Sequence, residues 1–96
     1  MTTKETFIQD METKLAARQD EIDALKTKAE SAGSGSKIDL EEKIAELELK
    51  QKYAQKTLAE LQAAGESRWD RLQRSVASAW NDLDDAYREA LAIEIA

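Results

Sequence analysis

The sequence predicts an all-α protein: an antiparallel coiled-coil helical hairpin whose long second helix runs on into an amphipathic segment with an 11-residue repeat. Three observations predict it. The 96 residues include no proline and only three glycines, so little in the chain breaks a helix. Two stretches carry apolar residues at heptad spacing. Beyond residue 65 the apolar period changes to 3-4-4, which is 11 residues per three turns.

The first heptad places Ile8, Leu15, Ile22 and Ala29 at a, and Met11, Arg18, Leu25 and Ala32 at d. The second places Ile44, Gln51 and Leu58 at a, and Leu40, Leu47, Ala54 and Leu61 at d. The only loop-like run between them is Ser31-Ala32-Gly33-Ser34-Gly35-Ser36, with the loop expected over 32–36. Helix starts are signalled at Thr2 with Glu5 and at Ser36 with Asp39. A short connection makes the two helices antiparallel. Centring the turn between Ser34 and Gly35 then sets Leu25 against Ile44, Ile22 against Leu47 and Leu15 against Ala54. The same register sets Arg18, the one charged residue of the first seam, against Gln51, the one polar residue inside the second. A polar layer in an apolar seam lowers stability and fixes register, which is the role this pattern assigns to Arg18 and Gln51. The flanking charges fit in part, with Glu21 near Lys50 and Lys26 near Glu41.

Residues 1–65 therefore read as the hairpin, and 66–96 as a Trp-bearing association helix. Its stripe is Trp69, Leu72, Val76, Trp80, Leu83, Tyr87 and Leu91, and it holds both tryptophans of the chain. As a continuous helix it would reach roughly 45 Å past the first helix, at about 1.5 Å per residue. Two large aromatics on one face seek cover, since each buries about 150–250 Å². The charges are segregated, with Arg68, Arg71 and Arg74 early and Asp82, Asp84, Asp85 and Glu89 late. An antiparallel copy crossing near Trp80 would set Arg74 near Asp85 and Arg71 near Glu89. The alternative is a chain that turns at Gly65, where Ser67 with Asp70 signals a helix start, and folds the tail back as a third helix.

Composition narrows the function. There is no cysteine or histidine, hence no disulfide, no thiolate zinc site and no His or Cys nucleophile or base. Carboxylates are plentiful but lie on exposed helical faces, where nothing encloses them as general acid–base chemistry requires. No catalytic, metal or cofactor site is expected, and no small-molecule substrate. With 14 basic against 20 acidic residues the net charge is −6, a poor match for nucleic acid. No secretory signal or membrane span is expected, which points to the cytoplasm. The expected partner is a second copy, with an antiparallel dimer favoured, or another helical protein. A lipid surface ranks second: interfacial helices carry Lys and Arg on the polar face, whereas residues 66–96 hold four Arg, no Lys and seven acids.

Trp69-Asp70-Arg71-Leu72 followed by Ala79-Trp80-Asn81-Asp82-Leu83, after a Lys/Glu-rich helix, resembles a group of small bacterial coiled-coil stress-response proteins. The resemblance spans nearly the whole chain, and its other features are general to coiled coils. The Gly-Ser-Gly-Ser break departs from the charged or Ala-rich linker of that group. The resemblance implies a soluble cytoplasmic helical protein made under stress, and it brings no catalytic residues.

Overall fold

Long proline-free stretches with a 3-4 apolar spacing form three helices. The computed structural model describes residues 3–93. Helix α1 spans Thr3–Glu30, α2 spans Ser34–Gln62 and α3 spans Glu66–Leu91, with no strand among the described residues. The two three-residue turns make the chain run up, down and up, so α1 and α3 point the same way. The body measures 50 × 21 × 17 Å.

Both heptad seams are buried. Met11, Leu15, Arg18, Ile22, Leu25 and Ala29 line α1, and Leu40, Ile44, Leu47, Gln51, Ala54, Leu58 and Leu61 line α2. Ile8 and Ala32, at the seam ends, pack partly buried against this core. Such a seam is stabilised mainly by apolar burial, about 25 cal/mol per Å² removed from water.

The chain departs from the sequence expectation at both turns. The first is 31–33, not 32–36: Ser34, Gly35 and Ser36 already belong to α2. Gly33 is its N-cap, in extended conformation and without a side-chain capping bond, so Ser36 does not start the helix. Thr2 lies outside the described residues, as do 94–96. The second helix does not run through Gly65. It ends at Gln62, and Gly65 is the extended N-cap of α3. Breaking a helix at glycine forgoes little, since glycine within a helix costs about 1 kcal/mol. Folding back covers the Trp stripe, and that burial outweighs the lost helical hydrogen bonds.

Helix α3 offers Leu72, Val76, Ala79, Leu83, Ala86 and Ala90 to the core. It packs closely on α2, as α1 does. Between α1 and α3, by contrast, no pair of Cα atoms among the described residues comes within 8 Å. Large side chains span that gap.

Candidate functional site

The seam between α1 and α3 is where the chemistry of this chain concentrates. It begins with a matching of spacings. Phe7 and Arg18 on α1 are 11 residues apart, and so are Trp69 and Trp80 on α3. Eleven residues make three turns, so both pairs keep one phase along parallel helices. The Phe7 and Trp69 rings meet edge to face, with centroids 6.2 Å apart. Arg18 stands against Trp80, its guanidinium carbon 4.8 Å from the ring centroid. Lys4 Nζ lies 5.2 Å from the Trp69 ring and bonds Glu66 at 2.7 Å. Lys14 Nζ lies 5.7 Å from the Trp80 ring.

Arg18 is the centre of this seam. Its side chain is only 8% exposed. Nη2 donates to Asp84 Oδ1 at 3.0 Å, and Nε lies 3.3 Å from Glu21 Oε1. The guanidinium also sits 4.1 Å from the centroid of Tyr87. Asp84 in turn takes Arg88 on its other oxygen at 3.1 Å. Burial pushes the Tyr87 hydroxyl above its ordinary pKa, and a hydrogen bond to Glu21 adds to the rise. The phenol therefore stays protonated and donates to Glu21. Cation–π contacts of a desolvated guanidinium are each worth about 2 kcal/mol.

The polar layer is thus built differently from the sequence expectation. Gln51 is buried, but its Nε2 donates to the Leu15 carbonyl at 2.8 Å, and its Oε1 has no protein partner. Arg18 sends its guanidinium to Asp84, Trp80 and Tyr87 of α3. The reason is the fold-back: α3 brings a carboxylate and two rings to Arg18, a better set of partners than one amide. The flanking charges also shift. Lys26 reaches Glu48 at 3.3 Å rather than Glu41, Lys50 reaches Glu46 at 3.9 Å, and Glu21 serves Arg18.

The predicted association stripe is largely used inside one chain. Leu72, Val76 and Leu83 are buried, while Trp69, Trp80 and Tyr87 are partly buried against the core. Leu91 remains 53% exposed. The expectation that the stripe lacks cover within the hairpin is corrected by this packing. Arg71, Arg74 and Asp85, expected to pair between two copies, form no ion pair with one another inside one chain. Arg71 and Arg74 line a shallow cleft of about 410 Å³ with Tyr53, Ser75, Ser78 and Asp82, and Arg74 Nε donates to its own helix at the Asp70 carbonyl. Asp85 is exposed. The sequence pattern singled out Asp85, counted Asp84 only among the late acids, and gave no role to Phe7, Lys4 or Lys43. The shared 11-residue spacing of Phe7/Arg18 and Trp69/Trp80 was the available signal.

Exposed ion pairs fasten α3 at both ends. Lys43 of α2 bonds Glu89 at 2.6 Å and Glu46 at 2.9 Å. Lys4 holds the Glu66 carboxyl below the ordinary value of 4.5, first by its hydrogen bond, and Lys43 does the same to Glu89. The hydrogen bonds to Glu46 and then Glu89 raise Lys43 above 10.5. A carboxyl whose folded pKa is depressed adds stability that is present above its unfolded value and is lost as pH falls through its folded value. For Lys43 the sign reverses: its contribution is whole below its unfolded value and is lost as pH rises through its folded value. Thermal melts in acid should therefore fall less steeply for the double variant Glu66→Gln, Glu89→Gln than for the parent. Equal acid limbs would refute this.

Among the described residues, no group of three or more Asp, Glu, His or Cys could hold a metal ion. No helix among them is long and apolar enough to cross a membrane. No family model, no curated protein and no solved structure matches the chain.

Proposed function

We propose that this is a non-enzymatic helical interaction protein whose associating element is the segment 66–96, acting on a second copy or on a partner helix. One observation carries the reading: α3 touches its own hairpin closely on one side only. Against α2 it packs backbone near backbone, while against α1 it is held across a gap of more than 8 Å by rings, cations and carboxylates, of which Glu66 is exposed and Asp84 part-buried. Exposed ion pairs contribute about 0–1 kcal/mol each and are screened by salt. An element attached in this way is a candidate for exchange with another helix of the same pattern. A role under stress rests on the sequence resemblance of Trp69–Leu72 and Ala79–Leu83 alone.

A second reading, a lipid surface, draws on the partly buried Trp69 and Trp80 rings on one face of α3. The segment's net negative charge opposes it on anionic lipid. Sedimentation equilibrium across a concentration series, with and without neutral phosphatidylcholine vesicles, separates the two. Mass-action association without vesicles is the expected result. A monomer that moves onto vesicles would transfer the function to lipid, and a monomer indifferent to both would overturn the proposal.

A further inference from the structure

We infer that the partner of α3 is the hairpin of a second copy, reached by exchanging α3 through the Ala63-Ala64-Gly65 turn to give a two-fold domain-swapped dimer. This rests on the reading of 66–96 as the associating segment and specifies how it associates. The turn is built to open. No residue among those described has positive φ, so nothing in it depends on a left-handed conformation. Ala63 is already in the right-handed helical region, with φ −88° and ψ −6°. Gly65 has φ −80°, close to helical, and ψ 175°. The turn has no side-chain cap on α3, and it is held by short backbone bonds such as Ala64 N to the Leu61 carbonyl. A Cβ added at Gly65 would meet nothing within 4 Å, so neither packing nor strain demands glycine there.

Rotation about a few backbone bonds near Gly65 therefore joins α2 and α3 into one helix over 34–91. That is the continuous second helix the proline-free sequence favours, and the absence of a strong breaker makes it accessible. In the opened chain α3 projects beyond its own α1 and exposes the stripe. Two opened chains related by a two-fold axis at the hinge give every α3 the hairpin contacts it has in the monomer, now from the partner. Lys43–Glu89, Lys4–Glu66 and Arg18–Asp84 all become contacts between chains. The closed and exchanged forms thus share one interface and differ at the hinge, which is the condition for swapping at low cost. The crossing point is Gly65, not Trp80, and the dimer is about twice as long as the 50 Å monomer.

The hinge gives two contrasting variants. Gly65→Ala removes a helix-destabilising glycine from each opened hinge and a preferred N-cap from each closed turn. It should tighten the dimer by about 10- to 30-fold, counting two hinges and about tenfold per 1.4 kcal/mol. Gly65→Asp supplies the missing cap in an extended conformation that suits it, but also improves the opened helix over glycine, so its dimer should stay within about threefold of the parent's. Exchange is read by zero-length carbodiimide coupling of Lys43 to Glu89 in a mixture of ¹⁴N- and ¹⁵N-labelled protein, refolded together and then separated into monomer and dimer. Mixed-isotope Lys43–Glu89 peptides in the dimer fraction, with single-isotope ones in the monomer, are the expected result. A dimer whose Lys43–Glu89 peptides are single-isotope would overturn the exchange and leave self-association standing. A protein that stays monomeric even as Gly65→Ala would overturn both.

Discussion

Leu83→Ala lowers the stability of the monomer by about 3 kcal/mol, within the range of about 2–5 kcal/mol for emptying a well-packed leucine site. Leu83 is fully buried, at 0% exposure, in the stripe of α3. For a chain of this size that is a drop of about 15 °C in melting temperature, since about 1 kcal/mol corresponds to 4–8 °C. Urea titration should show a lower midpoint with an unchanged slope, because the unfolded chain exposes the same surface. Leu91→Ala, two turns further along the same stripe, should change stability by no more than about 0.5 kcal/mol, because Leu91 is 53% exposed. The contrast tests the fold-back. On a tail projecting from a lone hairpin the two leucines would be equally wet, and both truncations would be nearly neutral at monomer concentrations. Equal, small effects at Leu83 and Leu91 would mean that α3 is not docked in the monomer.

The all-α class and both seams were legible in the sequence because they are local. Leu15, Ile22, Leu40 and Leu47 recur at a spacing that only one helical face satisfies, and each is buried. Arg18 and Gln51 were recognised as core positions by their phase, and both are buried. What phase cannot supply is the third dimension. At Gly65 the local choice between bending and continuing is worth about 1 kcal/mol. The outcome is decided by burial of Leu72, Val76 and Leu83 on residues far away in sequence. The same holds for Arg18. Its helical position was readable, but its partners Asp84, Trp80 and Tyr87 arrive only once α3 folds back. The sum rule that pairs α1 with α2 assumes a two-helix core and offers Gln51 as the only candidate. In a three-helix core a long cation at a d position can reach past its facing helix to the third. Between α1 and α3 the clue was a shared spacing, 11 residues from Phe7 to Arg18 and from Trp69 to Trp80, which becomes visible only by comparing segments that the chain separates by 62 positions.

Arg18→Ala is expected to cost about 3 kcal/mol, and Arg18→Met less than about 1 kcal/mol. The difference follows from what the side chain does. Its aliphatic stem and flat guanidinium fill the space before Trp80 and Tyr87, and alanine would leave that space empty. Methionine refills it with a flexible apolar chain. It also abolishes the desolvation of a charge that is only 8% exposed, and such replacements of buried ion pairs are often neutral or stabilising. The carboxylates left behind are not stranded: Asp84 keeps Arg88, and Glu21 has a side chain 41% exposed to water. Asp84→Ala works in the opposite sense. It leaves the buried guanidinium with Glu21 and the two rings only, and should cost about 2 kcal/mol, below the 3–5 kcal/mol of a pair that loses its sole partner. Combined with Arg18→Met, the loss at Asp84 should shrink to a few tenths, since the charge it served is gone. Chemical denaturation of the four proteins closes this cycle. If Arg18→Met were as costly as Arg18→Ala, charge and not volume would hold α3 against α1. If Asp84→Ala cost the same with and without Arg18, the bond between them would contribute nothing, and the rings alone would fix the offset of the two helices.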